Sequence, residues 1–317
     1  MTKIDIVKSS EAYLEFYKAL TSGDTGFPEV PEVIARDIIE YIWKKTHVRQ
    51  LFHWITMDSD IVKWYVESGT VEVYSPASEG SEVEESKILF GTPVELIAKE
   101  IRAWTSITDV ASEEAKIDVI ARSVIHLGKK FAECEERNAL TGDGSGSDAY
   151  NLFTGLTRLT SSEGANIVDL EKRSLTIDDI SNALSYFEEQ GYADSLVCLL
   201  NPFAASYLRK DLSDKGLDTL SSQLISSGEL PTIYGVKIVE TSYMPRRDYS
   251  INDPVQVSDV IICNPSLSAV GGDRRRIVIE RDRDIKKGLT IIVASERFAW
   301  RILRPDAVYI IKNTLSQ

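Results

Sequence analysis

The segment Thr141-Gly142-Asp143-Gly144-Ser145-Gly146-Ser147-Asp148 has the composition of an anion cradle. Glycines let a backbone approach a phosphate closely, and free N–H groups then bind it. A nucleotide loop of this kind follows a strand, precedes a helix N-terminus and ends in Gly-Lys with Ser or Thr. Here the loop follows a helical pattern, so it meets the negative end of a helix dipole, and that ending is absent. Asp143 and Asp148 also lack the bidentate Glu that a calcium loop places at a fixed offset. The segment therefore reads as a flexible loop that ends a helix. The three histidines, His47, His53 and His126, stand at no metal-ligand spacing from Cys, Asp or Glu. The three cysteines, Cys134, Cys198 and Cys263, are widely separated and lie in apolar or helical runs. They read as buried free thiols suited to a reducing compartment. With no Gly-x-Ser-x-Gly elbow and no Cys–His pair, no catalytic, cofactor-binding or metal residue is assigned, and no cofactor is expected.

Two charged stretches remain. Asp273-Arg274-Arg275-Arg276, Glu280-Arg281-Asp282-Arg283-Asp284 and Lys286-Lys287 together hold seven bases and four acids. Such a run suits a nucleic-acid contact, a solvated strand face or a contact between subunits. Opposite to it in charge, Glu67, Glu72, Glu79, Glu82, Glu84 and Glu85 crowd one acidic region.

The elements that carry these residues follow from periodicity. A short helical stretch over Ser10–Leu20 and an amphipathic helix from Pro31 to Lys45 are joined by a glycine- and proline-bearing segment, which reads as an arm. Val48–Thr56 is strand-like. Strand patterns over Ile61–Tyr74 and Ile88–Ile107 flank the polar tip Ser75–Lys87 and predict a long hairpin, marginal unless it packs on something else. A long helix is predicted from about Glu113 to Leu140, capped by Ser112, with Ile117, Ile120, Val124, Leu127 and Phe131 on one stripe. Thr176 and Asp179 form a capping box that opens a helix over Ile177–Gln190, closed by Gly191. Leu196–Leu200, Val236–Thr241, Val260–Cys263, Arg276–Glu280, Leu289–Ala294 and Ala307–Ile311 are predicted strands, and Pro202 opens a helix through Lys210. The fold class is α+β.

Composition narrows the classes. The 317 residues are 43% hydrophobic and 27% charged, as in ordinary globular chains, which excludes a disordered or collagenous polymer. No apolar stretch nears the roughly 18 residues that span a bilayer, and Met1-Thr2-Lys3-Ile4-Asp5 lacks a signal-peptide layout, so a soluble protein without a membrane partner is expected. The net charge of −13 opposes general binding of nucleic acid.

In order and spacing, the elements resemble the major capsid protein of tailed double-stranded DNA viruses, the Hong Kong 97-type fold. The likeness rests on Glu133-Cys134-Glu135-Glu136-Arg137-Asn138-Ala139-Leu140-Thr141-Gly142-Asp143-Gly144, which is similar to the end of that family's spine helix. It also rests on Val48-Arg49-Gln50-Leu51, Leu199-Leu200-Asn201-Pro202, Tyr207-Leu208-Arg209-Lys210, and Ile233-Tyr234-Gly235-Val236 followed by Met244-Pro245. The resemblance implies an N-terminal arm (1–47) and an E-loop hairpin (59–93). It implies a P domain (48–58, 94–172 and 265–317, with the spine helix at about 113–140) and an A domain (173–264). It further implies pentamers and hexamers that close into an icosahedral virion shell, assembled in the host cytoplasm around double-stranded DNA without sequence-specific binding. A separate scaffolding protein, a portal and a maturation protease are the implied partners. Since a hairpin in such shells lies over a neighbour's P domain, Glu79, Glu82, Glu84 and Glu85 are expected to meet Arg274, Arg275, Arg276, Arg281 and Arg283 across subunits. The alternative has the arginines pairing with Asp282 and Asp284 in their own chain. Lys87 and Asn313 are of the types that cross-link in some members, and no such reaction is assigned. An encapsulin-type compartment, and a two-domain enzyme with an unrecognised site, are the competing readings.

Overall fold

The computed structural model describes residues 47–65, 67–68, 89–90, 93–109, 119–215, 230, 232–250 and 253–316. The arm, the hairpin tip and the predicted start of the long helix fall outside these residues. In chain order the elements are α1 (Val48–Leu51), β1 (His53–Thr56), β2 (Ile61–Trp64), β3 (Glu67–Ser68), β4 (Leu89–Phe90), β5 (Val94–Ile97), β6 (Lys99–Thr108) and α2 (Val119–Leu140). Then follow β7 (Asn166–Asp169), α3 (Ile177–Gln190), β8 (Val197–Leu200), α4 (Pro202–Asp214), β9 (Lys237–Glu240), β10 (Arg247–Ser250) and β11 (Asp253–Cys263). The chain ends with α5 (Pro265–Ser268), β12 (Ala269–Asp284), β13 (Leu289–Ile302) and β14 (Val308–Leu315). Mixed helices and sheets bear out the α+β class. No described helix is long and apolar enough to cross a membrane.

One sheet has the order β1-β12-β13-β6, and a second runs β7-β14-β11-β8-β9 with β10 against β11. The hairpin pairs β2 with β5 from Ile61↔Ile97 to Trp64↔Val94, and β3 with β4 at Glu67↔Phe90. Its inner residues Val62, Trp64 and Leu96 pack with Met57, Ala98, Val270 and Ala299. Ile61, Ile97 and Tyr65 are exposed.

The chain divides into two compact units. The first comprises residues 1–45, 100–132 and 275–297, the second 46–99, 133–274 and 298–317. In the first, Ile101 and Ile107 on β6, Ile277 and Ile279 on β12, Ile292 and Ala294 on β13, and Val124, Leu127 and Phe131 on α2 are buried. The strand positions alternate by two and the helix positions step by three or four, as one-sided burial requires. Trp104, on the opposite face of β6, is 69% exposed.

In the second unit, β8 is buried at all four positions, with β11 antiparallel on one side and β9 parallel on the other. Cys198, Leu200, Val260 and Ile262 form one cluster with Ile180, Phe187, Ala204 and Leu208 from α3 and α4. Each fully buried aliphatic or aromatic side chain contributes roughly 1.5–3 kcal/mol relative to exposure. The predicted box opens α3: the Thr176 N–H and hydroxyl donate to Asp179 Oδ2 at 2.9 and 2.7 Å. Gly191 closes it at φ 74°. Asn201 caps α4 by accepting from Phe203 N–H at 3.0 Å.

One local expectation is corrected. Val48–Leu51 is a helical turn rather than strand, because the His47 carbonyl accepts from the N–H groups of Gln50 and Leu51 at 3.1 and 3.0 Å. The strand starts at His53. The three cysteines are buried and free. Burial pushes the Cys263 thiol up to about 12 and raises the Cys198 thiol as well.

Candidate functional site: a buried charge hub and the surfaces around it

A guanidinium lies buried in the second unit. Arg49, carried by α1, donates through Nε and Nη2 to Glu135 at 2.8 and 2.5 Å, and through Nη1 and Nη2 to Asp273 at 2.9 Å each. The side chains of Arg49, Glu135 and Asp273 are 5%, 1% and 8% exposed. Its carbon lies 4.1 Å from the centre of the Trp54 ring. Only a planar fork can serve two carboxylates edge-on and still stack on an indole, so lysine cannot replace it here. The hub ties α1 to the buried end of α2 and the start of β12.

Glu136 sits beside it and is fully buried. Its Oε2 accepts the Val48 N–H at 3.1 Å and its Oε1 faces the Thr241 hydroxyl at 3.4 Å. Burial, with repulsion from Glu135 added, outweighs these donors and pushes its carboxyl up to about 7. Burial, then the Lys237 ammonium, holds the His47 imidazole below its usual value.

The glycine-rich segment is a clasp rather than a flexible loop. Asn138 on α2 holds the returning chain: its Oδ1 accepts Leu152 and Phe153 N–H at 2.8 and 3.1 Å, and its Nδ2 donates to Ala149 O at 2.7 Å. A Cβ at Gly142 would lie 2.3 Å from the Phe153 carbonyl oxygen, and one at Gly155 2.5 Å from the Thr141 nitrogen. Glycine is required at both because backbone passes backbone there. Asp143 spends a carboxylate oxygen on the Ser145 N–H at 2.8 Å, which leaves the loop shaped around itself rather than around an anion.

The predicted contact residues divide. Glu79, Glu82, Glu84 and Glu85 lie outside the described residues. Arg274 donates to Asp60 at 3.1 Å in the second unit. In the first unit Arg275 reaches Glu100 at 2.8 Å and Ser295 at 2.9 Å, and Arg283 reaches Asp109 at 2.9 Å. These intrachain partners are not the Asp282 and Asp284 of the alternative reading. Asp282 accepts from the Arg283 N–H, and Asp284 pairs with Lys287 at 3.7 Å. Arg276 and Arg281 are exposed. Asn313 donates to Asp169 and accepts from Arg247, at 2.8 and 3.0 Å. Among the described residues no cluster of His, Cys, Asp and Glu could hold a metal. A cleft of about 440 Å³ in the second unit is lined by Lys99, Phe153, Trp300 and Arg301 among others, and Lys99 already donates to the Leu152 carbonyl at 2.6 Å.

Arg49, Asn138 and Asp273 carry the geometry, and their roles escape a reading by local pattern. The available signal was Glu133 and Glu135, which at two residues apart lie on nearly opposite sides of α2 and so cannot share one solvent face.

Against known proteins, this architecture has many counterparts. No curated protein matches the sequence. The chain is similar in structure to the capsid of a native GTA particle, at 15% identity and a TM-score of 0.67, covering 92% of this chain and 94% of the other. It is similar to the capsid of cyanophage P-SCSP1u, at 13% identity and a TM-score of 0.62, over 93% and 92%. It also resembles the holo-SrpI encapsulin complex of Synechococcus elongatus PCC 7942, at 13% identity and a TM-score of 0.58, over 95% of both chains. A sequence model described as the phage capsid family matches residues 26–313. By that match across nearly its whole length, the chain belongs to the phage capsid family.

Proposed function

We propose that this protein is a major capsid protein that assembles as pentamers and hexamers into an icosahedral shell around double-stranded DNA. The observation that carries the reading is the family match from residue 26 to 313. The exposed apolar residues support it: Ile61, Tyr65 and Ile97 at the hairpin root, and Trp104 on β6, are what a neighbouring copy would cover. The protein is structural on this reading and lacks catalytic activity. The arm is assigned to 1–47, the E-loop to 59–93, the A domain to 173–264, and the P domain to 48–58, 94–172 and 265–317. A separate scaffolding protein, a portal and a maturation protease complete the assembly.

Electron microscopy of the purified protein, alone and with a co-expressed scaffolding partner, tests this. Closed particles or ring-shaped capsomers are expected. A strictly monomeric protein at high concentration under both conditions overturns the reading. The likeness to an encapsulin over 95% of both chains supports a cellular compartment as second reading. Particle contents separate the two, since a compartment would carry a protein cargo and no genome.

A further inference from the structure

Between Val119 and Ala132, α2 carries Arg122, His126, Lys129 and Lys130 and no acid, in a chain of net charge −13. All four are exposed, whereas Val124, Leu127 and Phe131 on the same helix are buried. Steps of four and three residues align Arg122, His126 and Lys129 in one stripe. At about 1.5 Å per residue the stripe spans roughly 10 Å. Lys130 beside it has a partner of its own. Glu133, four residues beyond Lys129, is taken up by Arg137 at 2.7 Å. Arg122 and Lys129, seven residues and about two turns apart, thus set two formal positive charges on one exposed face.

We propose that this stripe of α2 is where the shell touches the phosphate backbone of the duplex it encloses. The inference rests on the shell reading. Duplex DNA presents a negative charge about every 1.7 Å of its axis, so a stripe of this length meets phosphates whatever the base sequence. Through Arg122 and Lys129 each subunit neutralises about two phosphates. The contact is therefore weak and salt-sensitive for one subunit, and it accumulates over many. Such a wall holds a genome without fixing its register and releases it readily.

The test uses the full-length protein as unassembled subunits. Binding to a short fluorescent duplex is followed by anisotropy over a salt series, and to polyglutamate in parallel. The wild type is expected to bind duplex at low salt. Arg122→Gln/Lys129→Gln is expected to make the slope of log affinity against log salt shallower by about 2. Arg122→Glu/Lys129→Glu is expected to abolish binding, with circular dichroism reporting the fold of both variants. Unchanged slope and affinity in the Gln pair, or no duplex binding by the wild type at the lowest salt, overturns the proposal. Binding to polyglutamate alone overturns it too and assigns the stripe to an acidic protein segment. Electron microscopy of the same preparations keeps the two readings apart. Variant particles of normal size with unchanged DNA affinity sink the DNA contact and leave the shell standing. Absence of wild-type particles sinks the shell reading whatever the salt slope.

Discussion

Replacing Glu136 by Gln should change how the protein's stability responds to pH. The carboxyl ionises at about 7 in the folded chain and near 4.5 when unfolded. Between those values the native state keeps a proton that the unfolded chain has released, so stability falls as pH climbs through the interval and levels off above it. At about 1.4 kcal/mol per pH unit, the interval amounts to ~3 kcal/mol. Glutamine has nothing to titrate, and its amide also meets the Val48 N–H and the Thr241 hydroxyl differently. That mismatch adds a constant offset of either sign. The prediction therefore concerns the change in the stability gap between the two proteins, not its absolute size. Urea unfolding of unassembled subunits at a series of pH values measures it. Relative to wild type, Glu136→Gln should gain ~3 kcal/mol between acid and mildly alkaline pH, with most of the gain accrued below neutrality. Acidic groups elsewhere, such as Asp179 held low by its Arg173 and Thr176 donors against the opposing pull of burial, act in both proteins and cancel. Two parallel curves would show that Glu136 is ionised throughout and that its donors outweigh its burial.

Arg49→Met strands two buried carboxylates and should cost ~3–5 kcal/mol in the same assay; a loss under 1 kcal/mol would mean that water reaches the hub. Asn138→Ala orphans the N–H groups of Leu152 and Phe153, at about 1–3 kcal/mol each, and Gly142→Ala, with a Cβ pressed on a carbonyl, should cost at least as much as ordinary overpacking. Thermal melting checks both, and a Gly142→Ala chain as stable as wild type contradicts the clasp. For the acidic hairpin tip, Glu82→Lys, Glu84→Lys and Glu85→Lys together should slow assembly followed by light scattering. Adding Arg281→Glu, while leaving Arg274, Arg275 and Arg276 on the partners they have, should restore part of the rate. No defect, or no rescue, removes the proposed contact between subunits.

Local chemistry made the second half of the chain legible. A capping box at Thr176 and a glycine at 191 mark both ends of α3, and Pro202 with Asn201 marks the start of α4. The Leu196–Leu200 run announces a strand buried on both faces. What escaped is held by partners far apart in sequence. Val48–Leu51 runs on into a strand pattern, yet its backbone is recruited into a turn whose first N–H meets Glu136. Composition made the glycine-rich segment look loose, and Asn138 and Phe153 make it tight. Arginines 274, 275 and 283 have acids nearby in sequence, but the fold brings Asp60, Glu100 and Asp109 nearer in space.

The two carboxylates that clamp Arg49 lie 86 and 224 residues further along the chain. At a ribosome's pace of about 5–20 residues per second, the last of them emerges roughly 10–45 s after the guanidinium it must meet. Until then α1 has only the Glu135 half of its anchor. Loop closure over such a distance comes late in folding as well. The hub thus acts as a completion signal. A truncated or still-growing chain cannot close the hub, so α1 is fixed only once β12 has been made.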